Sequence, residues 1–328
     1  MSDTMKNAEI FRYAQLIVNQ CAGIKAGEQV LVVSDTLADQ SITHAIVGAA
    51  LACGAEASAI VYAARKQSPH EPPPAVVEAM KASDVVFLYT GASLTHSRAR
   101  RAAQQAGARV MVMAGVNEDV FLRTVPVDLA RVADLTARLA KRIEAAQEGR
   151  IKTALGTDLT MRLGNSVVII DGLCLNRAEI DFVPFGCLVN VPQAASAHGT
   201  IVVDGSVGSL GIVSAPITLT IKAGRIVDIQ GGKDANRLRN LLASANDPNV
   251  YNCPAEWGVG TNPGARLIGV EPTFEGERVY GWTHVALGNN DVFPGGSVRA
   301  PLHLDAIITD PVIELDQQVI LADGEYKL

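Results

Sequence analysis

His303 and Asp305 stand two residues apart in "APLHLDAIITDP", alternating with Leu302 and Leu304. In a β-strand, alternate residues point to the same face, so this run would put an imidazole and a carboxylate on one face and leucines on the other. Such a pair can be a buried hydrogen-bonded couple, or it can offer two ligands to a divalent cation from one rigid element. Spacing alone leaves both open. Two more groups share the setting: Glu256 in "NCPAEWGVGTNPGAR" and His284 in "YGWTHVALGNND". Both are flanked by apolar residues or glycine, where an unpaired charge is costly to bury. Two histidines and two carboxylates suit one divalent metal, iron(II), zinc, cobalt or manganese, with coordination positions left for a substrate.

The chain has six histidines, and the other four read differently. His96, in "GASLTHSRAR", follows the strand-like "VVFLYTG" at its C-terminal end, where open α/β sheets place ligand-binding groups. Its competing reading is a helix-start residue beside Thr95. His44 reads as a surface or satisfied core residue of a helix, His70 as loop, and His198 as a structural residue at a turn before a strand. The five cysteines (Cys21, Cys53, Cys174, Cys187, Cys253) are scattered, odd in number and without a CxxC pair. That argues against a disulfide framework or a cysteine-zinc site and for a reducing compartment.

The elements that must position these groups change character near residue 150. Upstream, "EQVLVVSD", "EASAIVYA", "DVVFLYTG" and "ARVMVMAG" are short β-branched or apolar runs. Between and around them lie helical periods in "AEIFRYAQLIVNQCAG", "QSITHAIVGAALACGA", "PPPAVVEAMKAS" and "THSRARRAAQQAG", and "DLARVADLTARLAKRIEAAQEG" closes the series. Strands alternating with helices predict a parallel, Rossmann-like layered domain over residues 1–149. No GxGxxG follows "VLVVSD", which weakens a dinucleotide reading. Downstream, "KTALGTDLTMRLG", "SVVIID", "GTIVVDGSVG", "ITLTIKAGRIVDIQGG" and "PVIELDQQVILADGEY" alternate in period two with Gly or Asp turns. "DANRLRNLLASA" is the one helix among them. They predict an antiparallel, β-rich α+β domain over 150–328 that carries the metal site. The expected fold class is therefore α/β plus β-rich α+β.

A net charge of −6 without a Lys/Arg block gives no electrostatic reason to bind nucleic acid or a membrane surface. The densest basic cluster, "RARR" at 98–101, reads as a solvated helix face. The N-terminal "MSDTMKNAEIFRYAQ" has no signal-type apolar core and no apolar run is long enough for a bilayer. The expected location is cytoplasmic and the expected partner a small molecule.

With these residues in hand, the chain resembles the leucyl aminopeptidase (aminopeptidase T)-like metalloproteins, and within them the 2,5-dihydroxypyridine 5,6-dioxygenase-like members. The matching stretches include "SLTHSRARRAAQQAGARVMVMAGVNEDVFLR", "HGTIVVDGSVG", "AEWGVGTNPGA", "THVALGNND" and "HLDAIITDPVIELD". The resemblance implies that His303 and Asp305 are metal ligands, with Glu256 a third, where the aminopeptidases carry a ligand Glu and the dioxygenases a His, and His284 a fourth candidate, matching a ligand His of the aminopeptidases that the dioxygenases lack. It gives His96 an acid–base role over the substrate, and it suggests a homodimer. Two departures bear on the chemistry. Cys187 stands where the aminopeptidases carry a ligand Glu, and Phe182 where the dioxygenases carry a histidine. Cys187, Phe182 and Trp257 are thereby candidates for the surroundings of the metal or the substrate pocket.

A site short of carboxylates favours one metal over two. The implied function is a mononuclear, iron(II)-dependent opening of a hydroxylated N-heteroaromatic ring by dioxygen, at a site between the two domains. The alternatives are a metallo-aminopeptidase or related hydrolase, with Glu256 as general base, and a non-catalytic ligand-binding relative.

Overall fold

The computed structural model describes residues 3–65, 70–268 and 272–328. The elements run α1 (Asp3–Leu16), β1 (Gln29–Asp35), α2 (Gln40–Ala52), β2 (Glu56–Tyr62), α3 (Pro74–Lys81), β3 (Val85–Tyr89), α4 (Arg98–Ala106), β4 (Arg109–Val112), α5 (Glu118–Thr124) and α6 (Leu129–Ala145). Strands follow: β5 (Glu148–Lys152), β6 (Asp158–Arg162), β7 (Val167–Ile170), β8 (Ile180–Phe182), β9 (Cys187–Asn190), β10 (His198–Val203), β11 (Ser206–Val207), β12 (Gly211–Ile212), β13 (Ile217–Lys222) and β14 (Arg225–Gly231). After α7 (Lys233–Ser244) come β15 (Trp257–Gly260), α8 (Pro272–Gly276), β16 (Thr283–Gly288), β17 (His303–Ile308), β18 (Val312–Leu315), β19 (Gln318–Ala322) and β20 (Glu325–Tyr326).

The chain forms two compact units, 1–129 with 170–185, and 130–169 with 186–328. The first is built on a parallel sheet of order β2-β1-β3-β4-β8. Its inner strands are apolar on both faces because helices cover both, and all residues of β3 and β4 are buried. Leu31, Val33, Val86, Leu88, Val110 and Val112 pack there against Met80 of α3 and Ala99 and Ala103 of α4.

The second unit holds an eight-stranded sheet, β14-β13-β10-β6-β5-β18-β19-β20, and a seven-stranded one, β12-β11-β17-β16-β15-β9-β7. One core joins them. Leu159, Met161, Ile201, Val203, Ile217 and Leu219 of the first sheet share it with Trp257, Val259, Val285, Leu287, Leu304, Ala306 and Ile308 of the second.

The expected architecture, a parallel α/β part followed by antiparallel β-rich structure, is what the molecule has. Where the compact units divide differs from the 149/150 boundary read from the sequence. Leu139, Ala140 and Ile143 of α6 lie in the core of the second unit, and Thr136 is hydroxyl-bonded to Thr261 at 2.7 Å. The amphipathic face that made α6 legible as a helix does not say which sheet it covers. Residues 170–185 then return to the first unit, adding β8 as a fifth parallel strand beside β4. Three residues are too short a run to show a period.

Candidate metal centre

The site is built on the three central strands of the seven-stranded sheet. Directly paired residues of an antiparallel ladder share a face, and residues alternate along each strand. Trp257, Val259, Val285, Leu287, Leu304 and Ala306 take the core face. The intervening residues, Glu256, Gly258 and Gly260, His284, Ala286 and Gly288, His303 and Asp305, therefore take the other. Registration aligns them: His284 pairs with Gly258, Asp305 with Ala286, and His303 with Gly288. Each ligating candidate thus has a glycine or alanine across from it. The requirement is strict at Gly258, where a Cβ would lie 2.3 Å from His284 Cε1 and 2.6 Å from its Nε2.

These side chains converge. His284 Nε2 is 3.5 Å from Glu256 Oε1, and His303 Nε2 is 3.9 Å from the same oxygen and 3.3 Å from Asp305 Oδ1. Donors that share one ion at about 2.1 Å each lie no more than about 4.2 Å apart, and each of these three separations is within that reach. Among the described residues, Glu256, His284 and Asp305 form the group of His, Cys, Asp and Glu side chains whose donor atoms all lie within 4.8 Å of one another, with His303 beside Asp305 at its edge.

Burial shows what the cluster lacks. His284 is fully buried with no hydrogen bond to either ring nitrogen, Glu256 at 3.5 Å being an electrostatic neighbour only. Glu256 Oε2 is buried without a partner as well. Buried polar atoms are almost always satisfied, and a cation among these donors would satisfy them. His303 is already prepared. Its Nδ1 donates to the Asn289 carbonyl at 2.7 Å, which fixes the tautomer and turns Nε2 toward Glu256 and Asp305, the usual support of a ligating imidazole.

The charges tell the same story. Burial alone would lower the basicity of His303, but the Asp305 and Glu256 carboxylates outweigh it and hold the imidazole up at about 10. Burial also disfavours proton binding by His284, yet Glu256 and its neighbours shift it upward. Burial would raise Asp305, but His303 beside it keeps the carboxyl well below the ordinary carboxylate range. The acidic surroundings thus favour positive charge at these imidazoles, and a divalent cation can supply it in place of protons.

The other sequence-derived candidates are not members of this donor group. Trp257 is on the core face, its indole nitrogen donating to Thr283 Oγ1 at 2.9 Å, so it packs on the side of the sheet opposite the donor group. Cys187 pairs with Gly260 and so shares the ligand face. It is fully buried, and burial pushes its thiol up. Phe182 ends β8 and packs against the core of the first unit. His96 follows β3 and is half-buried. The cap of α4 is Ser97, whose Oγ accepts from Arg100 N at 3.0 Å, so His96 is not the capping residue. His44 is exposed, His70 is bonded to the Tyr62 hydroxyl at 3.1 Å, and His198 Nδ1 accepts from Ala223 N at 3.3 Å.

One feature had no signal in the sequence. Arg278 is 2 % exposed, ion-paired with Glu277, and bonded to the Phe274 carbonyl at 2.8 Å. Its backbone lies over Gly260, where a Cβ would come within 2.5 Å of the Arg278 carbonyl carbon. In "FEGERVYG" the pair reads as solvated surface. Burial pushes the Glu277 carboxyl up to about 8 against the pull of Arg278, with Asp305 and Glu256 adding to the rise.

Comparison with known proteins places the chain. Residues 11–327 match the model of the NicX family, 2,5-dihydroxypyridine 5,6-dioxygenase. A Pseudomonas putida KT2440 protein named 2,5-dihydroxypyridine 5,6-dioxygenase is 27% identical over 266 residues, 76% of this chain and 73% of that protein. In fold, the chain is similar to the solved 2,5-dihydroxypyridine dioxygenase of Pseudomonas putida KT2440, with TM-score 0.84 at 23% identity over 98% of this chain and 97% of that one. It is also similar to wild-type AmpT from Thermus thermophilus, with TM-score 0.72 at 14% identity over 98% and 99%. With the family model spanning nearly the whole sequence, the chain belongs to the NicX family of 2,5-dihydroxypyridine 5,6-dioxygenases.

Proposed function

We propose that this protein opens the ring of a hydroxylated N-heteroaromatic of the dihydroxypyridine class with dioxygen, using one divalent metal, iron(II), held by Glu256, His284, His303 and Asp305. The observation that carries the metal part is the set of buried, unsatisfied donors of Glu256 and His284 facing His303 and Asp305. Family membership carries the reaction class. When bound, the metal supplies a Lewis-acidic centre at which a substrate hydroxyl loses its proton more readily and two reactants can be neighbours.

The chain's own residues do the rest. Asn289 holds His303 in one tautomer. Asp305 and Glu256 carry the negative charge that retains the cation. His284, sealed beneath, keeps water from that side. His96 takes the substrate hydroxyl proton and returns it later, a general acid–base role. Both atoms of dioxygen enter the product and the ring supplies the electrons, so no nicotinamide is needed. A homodimer completes the proposal.

A single metal is proposed because a buried thiol, Cys187, stands where, by the resemblance, the aminopeptidases carry a ligand Glu. The second reading, a metallo-hydrolase, keeps His284, His303 and Asp305 as ligands and makes Glu256 the general base. It is favoured by the Glu256–His284 pair, which the resemblance assigns to the aminopeptidases.

The test is oxygen uptake by anaerobically purified, iron-loaded protein on addition of 2,5-dihydroxypyridine. Ring absorbance lost one-for-one with oxygen consumed is expected. Peptide turnover without oxygen uptake would replace this reading with the second.

A further inference from the structure

Access to the cluster is one-sided. The side chains of His284 and Glu256 are 0% and 4% exposed, those of His303 and Asp305 19% and 18%. A ligand therefore reaches the centre over β17. Beside that approach lies the β16–β17 connection, residues 289–302, which is tightly folded. Asn290 Oδ1 accepts from Ser297 N at 3.0 Å and Val298 N at 2.8 Å, and its Nδ2 donates to the Ala255 carbonyl at 3.0 Å. Gly296 has no room for a side chain, since a Cβ would lie 1.8 Å from the Asn290 carbonyl oxygen. Phe293 is pinned inside this turn: its N–H donates to Asn290 O at 3.0 Å and its carbonyl accepts from Gly296 N at 2.9 Å. Its half-buried ring lies against the His303 imidazole, centroids 5.6 Å apart and planes inclined by 31°.

We propose that Phe293 is a substrate-positioning residue, a fixed aromatic wall on the open side of the metal centre that selects planar, hydroxylated rings. The inference rests on the ring-cleaving reading and deepens it. A phenyl group whose backbone is held by these bonds and whose ring already lies against His303 has less freedom to lose when a ligand docks. Aromatic pairs prefer offset or tilted contacts and gain energy beyond their buried area, which an aliphatic side chain of similar bulk cannot supply. Contact with His303 places this wall beside a ligand-bearing strand rather than at a remote rim.

The test compares wild type, Phe293→Leu and Phe293→Tyr, each iron-loaded and anaerobic, by calorimetric titration with 2,5-dihydroxypyridine, catechol and the saturated trans-cyclohexane-1,2-diol. Phe293→Leu should bind the planar rings roughly 2- to 10-fold more weakly, the range of an aromatic pair. Metal content and affinity for the saturated diol should not change, and Phe293→Tyr should restore planar-ring binding. Equal binding of planar rings by wild type and Phe293→Leu would overturn the assignment. So would a parallel loss for the saturated diol, or a wild type that does not prefer planar rings. If catechol binding depends on Phe293 while no ring is cleaved, the positioning role stands and the proposed reaction fails.

Discussion

At the residue scale, the decisive choice is what lies opposite each proposed ligand. A histidine or carboxylate on a packed sheet face needs a small neighbour, and Gly258, Ala286 and Gly288 supply one each. Gly258→Ala would push a methyl group into the His284 imidazole. Metal affinity should fall by roughly 10- to 100-fold, the usual loss when a ligand's support is disturbed, measured by competition with a chelator. Wild-type affinity in this variant would show that His284 is not oriented by that contact. The pair His303 and Asp305 was legible from the sequence because strand parity needs only local spacing. Glu256 and His284 were legible because a charge in an apolar setting asks for a partner. Arg278 and Glu277 were not, because their burial comes from backbone packing over Gly260, and no pattern within "GERVYG" marks that.

At the element scale, the seven-stranded sheet divides its labour by parity. Val285, Leu287, Leu304 and Ala306 hold the strands to the core, the larger of them worth about 1.5–3 kcal/mol each when fully buried. That holds the opposite face in place against the several kcal/mol it costs to desolvate each unneutralised ion there. The alternation that reveals such strands is clear in β13 and β14, with their Gly and Asp turns. It is hidden in β15 and β16, where both faces are buried and every residue except His284 is small or apolar.

α7 is docked by a separate device. Asp234 in its first turn accepts from Ser214 N at 2.7 Å, Ser214 Oγ at 2.5 Å and Arg237 Nη1 at 3.0 Å. The Ser214 bonds, then Arg237, hold its carboxyl down at about 2 from an ordinary 3.8. A depressed folded value means that this stabilisation is complete above pH 3.8 and disappears as the pH falls through about 2. Asp234→Asn should lower the urea midpoint at pH 7, and the gap from wild type should close between pH 4 and pH 2. A gap that persists unchanged to pH 2 would show that the carboxylate's charge is not what docks the helix.

At the scale of the whole molecule, the chain commits its metal candidates to one compact unit and His96 to the other. The proposed division of tasks is correspondingly separable. His96→Ala should lower turnover by roughly 10²–10⁴-fold, the range for a lost acid–base group, with metal content unchanged. Wild-type turnover would return His96 to a loop residue before α4. The broad architecture was legible because strand–helix alternation and period-two alternation are distinct signals. The return of residues 170–185 to the parallel sheet was not, because it depends on pairing with β4, far away in sequence.

The central claim is that Glu256, His284, His303 and Asp305 jointly hold one metal ion. Anomalous scattering from crystals of the anaerobically purified protein, measured for wild type and for Asp305→Ala, tests it most directly. One ordered peak per chain among these four side chains, lost in Asp305→Ala, is the predicted result. Two peaks a few ångströms apart, or a full peak that survives in Asp305→Ala, would contradict it.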